Sequence, residues 1–183
     1  MEKLNDLWRV CRAVSTQGRL QLLWLLFEKG ELCVNQLAVH SAMTDSNASV
    51  QLKILYSAGV IRFRRQEMNV IYRAEADERV ECTVELLDIL RKCCEQSVPF
   101  ESVIRQVTAF THGRRIEIVQ VLNNGSLSYN QLLNQSGMTS SALSRHLHKL
   151  MGRGVIGRED DVYRIIRPAE PLGKVLLRIV RSC

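Results

Sequence analysis

GRLQLLWLLFEKGELCVNQLAVHSAMTDSNASVQLKILYSAGVI, residues 18–61, reads again as GRRIEIVQVLNNGSLSYNQLLNQSGMTSSALSRHLHKLMGRGVI at 113–156. At a constant offset of 95 and without a gap, 17 of the 44 aligned positions are identical, where unrelated sequences give roughly 3. A repeat of this length marks one structural unit used twice. Positions kept in both copies belong to architecture, and positions that differ are where function can diverge.

Within the first copy, Leu4, Leu7, Trp8, Cys11 and Val14 recur at helical spacing and predict a helix over 3–15. A second helix is expected over 17–29, stopped at Gly30, and a short one over 34–41. Thr44-Asp45-Ser46 offers capping oxygens to a helix that ends near Gly59, with Ala48, Leu52 and Leu55 as its inner stripe. Residues 60–73 have two β-rich ends around a polar tip and read as a hairpin. Residues 79–97 read as a long helix with Val80, Val84, Leu87 and Leu90 inward. The second copy repeats the order, with helices expected at 99–111, 113–124, 129–136 and 140–152, a hairpin at 154–167 and a last helix from Pro168/Pro171 to about 182. The boundary between units falls at Ser97-Val98-Pro99, giving expected domains 1–97 and 98–183.

Short helix, tight turn, capped helix and hairpin is the order of a winged helix-turn-helix. The fold class expected is mainly α with small β-hairpins, two tandem winged helix-turn-helix domains packed as an intramolecular pseudo-dimer through 3–15, 79–97, 99–111 and 169–182. The turns are Ser41-Ala-Met-Thr44 and Ser136-Gly-Met-Thr139. The helix after each turn is the one that enters a major groove in such proteins. In the second copy Leu143, Leu147 and Leu150 point inward, while Ser140, Ser141, Ser144, Arg145, His148 and Lys149 are left for the outer face. Arginine reads guanine edges bidentately, and serines hold phosphates or bases.

Thr139-Ser-Ser-Ala-Leu-Ser-Arg-His-Leu-His-Lys-Leu150 is similar to the recognition-helix signature of the ArsR family of bacterial winged-helix repressors. Gly113-Arg-Arg-Ile116 resembles that family's second helix, and Glu31-Leu-Cys-Val34 the start of its third. The resemblance implies repression of transcription by operator binding and a dimer built from first and last helices. The family's arsenic and cadmium sensors carry Cys-x-Cys in the third helix, whereas here the stretch is Cys33-Val34-Asn35 with Ser128 as its counterpart. Family metal sites on the last helix use Asp and His, and 79–97 holds no histidine. No metal and no cofactor are therefore expected. Cys11, Cys33 and Cys82 read as small buried hydrophobes. A thiol switch at Cys93, Cys94 and Cys183 is the alternative.

The copies differ on the surface expected to face DNA. Val50, Gln51 and Ile54 stand where the second copy has Arg145, His146 and Lys149. The first copy still offers Ser46, Asn47, Ser49 and Lys53, and its wing is basic, with Arg62, Arg64 and Arg65, the last two placed either to straddle a minor groove or to balance nearby acids in the hairpin. The second wing ends in Glu159-Asp160-Asp161, which phosphates should repel. Three readings stay open: both copies contact an asymmetric site, the second copy binds while the first supports it, or a protein-interaction module has lost DNA affinity. His146 either contacts phosphate or packs on the hairpin. Arg19 and Arg114 are expected to cap or brace the fold, Trp8 and Trp24 to pack, and His40 and His112 to stand alone.

The net charge is +6, with 13 basic and 13 acidic residues in 1–97 against 12 and 6 in 98–183. The excess sits wholly in the second half and suits a polyanionic partner, double-stranded DNA. There is no apolar run near the roughly 18 residues of a membrane span, so no membrane partner and a cytoplasmic location are expected. A further homodimer of the chain is possible. No glycine-rich phosphate loop, spaced Cys/His cluster or partnered Ser/His pair is present, and no enzyme activity is expected.

Overall fold

The computed structural model describes residues 2–182, with side chains from Asp6 onward. The first half runs α1 (Glu2–Ala13), α2 (Gln17–Lys29), β1 (Leu32–Cys33), α3 (Val34–Ser41), α4 (Asp45–Ser57), β2 (Arg62–Gln66), β3 (Asn69–Arg73) and α5 (Thr83–Glu95). The second repeats it as α6 (Phe100–Thr108), α7 (Gly113–Leu122), β4 (Leu127–Ser128), α8 (Tyr129–Ser136), α9 (Ser140–Gly152), β5 (Ile156–Glu159), β6 (Val162–Ile165) and α10 (Pro171–Ser182). Each half is thus a winged helix-turn-helix, mainly helical, with an antiparallel three-stranded sheet ordered β1-β3-β2 or β4-β6-β5. The two-residue strands β1 and β4 were not expected, because two residues show no period.

Local chemistry explains the elements. Thr44 and Thr139 cap α4 and α9 by accepting from Asn47 N at 3.2 Å and Ala142 N at 3.4 Å. The stripes Ala48/Leu52/Leu55 and Leu143/Leu147/Leu150 are buried, as expected. Gly30 ends α2 at φ +79°, a conformation open to glycine. Trp24 is buried and Trp8 packs at the edge of the core. The last helix of the first half begins at Thr83, not 79, and Val84 is 45% exposed rather than inward.

The repeat is not gapless. Thr16 stands at the N-cap of α2, without a side-chain hydrogen bond, where His112 caps α7, and both helices bury a similar pattern at an offset of 96. From β1 and β4 onward the offset is 95. One residue is missing from the second copy where α7 ends. The counterpart of Arg19 is therefore Arg115, not Arg114. Arg19 donates to Ala13 O and to Arg12 O (3.0 Å), and Arg115 to Ala109 O (2.7 Å) and Thr108 O (2.9 Å). Each arginine ties the start of its helix to the end of the helix before it. Arg114 is exposed and pairs with Glu117.

A single apolar core runs through both halves. α10 lies along α5, and the burial pattern of Cys82–Leu90 recurs at Leu172–Val180. Arg178 of α10 donates from Nε to Glu85 of α5 at 2.6 Å. α1 packs on α6 and α7. Among the described residues no helix is long and apolar enough to cross a membrane.

Candidate nucleic-acid interface

On α9 the side chains Ser140, Ser141, Ser144, Arg145, His148 and Lys149 are all exposed, opposite the buried leucines. Arg145 and Lys149 are one turn apart, so two cations share a face. The serines are partly committed. Tyr129, the first residue of α8, places its Oη 2.7 Å from Ser140 Oγ and 3.0 Å from Ser144 Oγ, and donates to Ser140 O at 2.8 Å. These bonds pull the Tyr129 hydroxyl below its ordinary pKa. Val34 stands at this place in the first half, so the strut is particular to the second.

His146 does not reach the surface. It is buried, with its ring 4.7 Å from that of His112, which is consequently not isolated. His112 Nδ1 accepts from Arg114 N at 3.2 Å and caps α7. Burial first, then the neighbouring His112 and the cations Arg115, Arg145 and Lys149, lower His146 to about 4. Burial also lowers His112, helped by Arg115. The pair is neutral at neutral pH and braces α9 from behind.

In the first half Ser46, Asn47, Ser49 and Lys53 are exposed on α4, beside Val50 (57% exposed) and Ile54 (38%). Asn47 is engaged: Arg19 donates to Gln51 Oε1 at 3.0 Å, and Gln51 Nε2 donates to Asn47 Oδ1 at 3.1 Å. The basic wing is also partnered. Arg62 pairs with Asp77 at 2.8 Å and Arg64 with Glu31 at 2.6 Å. The bond from Arg64 holds the Glu31 carboxyl below its usual range. Arg65 is exposed and has no acidic partner among the described residues. Arg64 and Glu31 are both exposed, so their pair contributes little to stability.

The wings differ in length. Tyr72 pairs with Leu32 and Phe63, and Tyr163 with Leu127 and Arg158, which sets the two sheets in register. Beyond that level β2–β3 adds three residue pairs, ending at Gln66–Asn69, while β5–β6 adds only Glu159–Val162. The first wing therefore projects roughly 7 Å farther, at about 3.4 Å per residue. Phe63 packs between Tyr56 and Tyr72, with ring centroids 4.9 and 5.9 Å away, and Arg158 lies over Tyr163 at 5.7 Å in the equivalent place. The acids of the second wing are largely neutralised, Asp161 by Arg158 and Glu159 by Arg164.

Cys11, Cys82, Cys93 and Cys94 are buried, whereas Cys33 is half-buried at the N-cap of α3; Cys183 lies outside the described residues. Among the described residues no three His, Cys, Asp or Glu side chains are grouped to hold a metal ion.

Fold and exposed helix together define a DNA-binding winged helix-turn-helix protein carried in two copies. The model of the bacterial regulatory protein arsR family matches residues 16–62 and 112–157, just over half of the chain, and the chain belongs to that family of transcriptional regulators. Over 80 residues it is 31% identical to a cadmium resistance transcriptional regulatory protein CadC homologue of Staphylococcus aureus, a match covering 44% of this chain and 65% of the relative. The solution structure of a homodimeric winged helix-turn-helix DNA-binding domain from Mycobacterium bovis, a possible ArsR-family regulator, is 30% identical, with a TM-score of 0.43 over 52% of this chain and 84% of that one. A crystal structure of a possible regulatory protein fragment from the same organism is 32% identical, with a TM-score of 0.41 over 50% and 94%.

Proposed function

We propose that the chain is a cytoplasmic repressor whose halves, 1–97 and 98–183, act as a built-in pseudo-dimer on an asymmetric operator. The observation that carries this is the outer face of α9, where Arg145, His148 and Lys149 stand exposed beside three serines at the capped start of the helix. Free N–H groups there suit phosphate. Ser140, Ser141 and Ser144 lie nearest that end. The first half contributes its longer wing through Arg64 and Arg65, with Arg62 behind them and Ser46, Asn47, Ser49 and Lys53 on α4. The packing of α10 on α5 supports the pseudo-dimer. Val50 and Ile54 replace the two cations on α4, which argues against a symmetric palindrome.

The test is salt-dependent binding to duplex DNA by wild type and by Arg145→Ala/Lys149→Ala. Each phosphate contact contributes about 0.9 to the slope of log K against log salt. Losing two lowers the slope by up to about 1.8; an unchanged slope removes α9 from the interface. Arg64→Ala/Arg65→Ala tests the wing in the same assay.

A second reading rests on the exposed Val50 and Ile54. They give α4 an apolar outer face suited to protein contact. Absence of salt-dependent DNA binding by the wild type would favour it. The solution mass tells whether two chains pair again.

A further inference from the structure

The second half contains a cleft that the first half fills. It measures about 420 Å³ and opens between α6, α10 and the chain leaving α9, against Phe110, Arg153, Gly154, Val155 and Ile166. A neighbouring cleft of about 490 Å³ lies toward Cys93 and Val98. Ser102, Gln106 and Glu170 line both and form the wall between them.

That wall is polar and incompletely satisfied. Ser102 Oγ donates to Glu170 Oε2 at 3.2 Å, and Gln106 Nε2 donates to the same carboxylate. Gln106 Oε1 is buried and has no hydrogen-bond partner among the described residues. An orphaned buried acceptor costs about 1–3 kcal/mol.

The first half shows that the fold does not need this arrangement. In the registers set by Arg19/Arg115 and by α5/α10, the places of Gln106, Glu170 and Gly173 are held by Val10, Val80 and Thr83. A methyl group on Gly59 would meet Asp77 at 3.0 Å, Val80 at 3.3 Å and Thr83 at 3.5 Å, whereas one on its counterpart Gly154 would meet nothing within 4 Å. The space closed by 77–83 in one copy is open in the other, and the open copy carries a half-buried amide there. An apolar hollow with a few convergent polar groups is the usual form of a small-molecule site.

The chemistry narrows the ligand. The Glu170 carboxylate, which Ser102 Oγ and Gln106 Nε2 hold against the cleft, is an acceptor and calls for a donor head group, best a protonated amine. Arg105 and Arg153 also line the cleft and offset Glu101 and Glu170, so its charges balance. Phe110, Val155 and Ile166 supply an apolar surface. We propose that this cleft binds a free amino acid with a large apolar side chain, its ammonium on the Glu170 carboxylate that Gln106 orients and its carboxylate on Arg105 or Arg153. The cleft touches both the exit of α9 and the helix α10 that lies along α5. An occupant therefore bridges the candidate DNA-reading helix and the contact between halves; this regulatory consequence rests on the function proposed above.

The experiment is calorimetric titration of the full chain, without DNA, with L-phenylalanine, 2-phenylethylamine and 3-phenylpropionate. L-phenylalanine should bind best, 2-phenylethylamine more weakly and 3-phenylpropionate not at all. Gln106→Val, which installs the first-half residue, and Glu170→Gln, at an exposed position, should each weaken L-phenylalanine by about tenfold, the value of one charge-assisted hydrogen bond. Thermal melting without ligand confirms that each variant folds. No binding by any probe, equal binding of 3-phenylpropionate and L-phenylalanine, or full affinity in Glu170→Gln overturns the proposal. None of these outcomes depends on whether α9 contacts DNA.

Discussion

Replacing Arg115 by alanine should destabilise the chain far more than replacing its neighbour Arg114. Arg115 is only 5% exposed, and its guanidinium donates to Ala109 O at 2.7 Å, Thr108 O at 2.9 Å and Thr111 Oγ1 at 2.7 Å. Truncation strands the Ala109 carbonyl and exposes a cavity where the side-chain stem lay. Hydrogen bonds to a charged donor contribute about 1.5–3 kcal/mol each, and the two stem methylenes that alanine lacks, Cγ and Cδ, about 0.8 kcal/mol apiece. Against this stands relief from burying the charge, a cost of several kcal/mol. The net is about 2–4 kcal/mol. At about 2–4 °C per kcal/mol for a chain of this size, the melting temperature should fall by about 5–15 °C. Arg114 is 51% exposed and paired with Glu117 at 2.9 Å one turn on, a contact of the class that contributes about 0.3–0.5 kcal/mol. Its loss should move the melting temperature by less than about 2 °C. Calorimetric or circular-dichroism melts of the two variants side by side decide the matter. Equal shifts, or a larger one for Arg114→Ala, would refute both the brace and the one-residue gap.

Two further outcomes follow from burial. The folded-state pKa of His146 lies at about 4, below its ordinary 6.5, so the unfolded chain takes up the proton first. Stability is fully present above about pH 6.5 and is lost as pH falls toward 4, by at most about 1.4 kcal/mol per pH unit. His146→Gln, the residue found at position 51 in the first copy, should flatten that slope in denaturant titrations; parallel slopes would show that the histidine pair is not responsible. In a Cys183→Ser background, a thiol reagent should modify Cys33 quickly under native conditions and the other four slowly. Burial raises the Cys11 thiol well above its ordinary value and Cys94 to about 11, and only thiolates react. Fast labelling of Cys94 would contradict its placement in the core.

Much of this architecture is legible in the chain because short-range chemistry writes it. Thr44 and Thr139 cap helices three residues ahead, and Leu143, Leu147 and Leu150 fall on one face. Features set by distant partners are not legible. His112 and His146 meet only because α7 and α9 pack together, so neither announces its ring contact. The ion pair of Arg64 with Glu31 joins a wing to the loop before β1. The gap hid behind a coincidence: Gly18-Arg19 and Gly113-Arg114 match as letters at offset 95, while the fold aligns Arg19 with Arg115. The cleft beside Gln106 arises from substitutions on two separate segments, Gln106 on α6 and Glu170 with Gly173 at the start of α10, each unremarkable alone.

The contact of α10 with α5 has a consequence for dosage. Two-chain regulators separate on dilution, so their active species falls with the square of protein concentration. Here both helices belong to one polypeptide, and the second unit is always present at an effective concentration set by the chain itself. On the pseudo-dimer proposed above, with no second chain pairing, site occupancy should then rise with the first power of concentration. The same linkage frees each copy from having to match the other, which is the condition under which one could lengthen its wing and the other open a cleft.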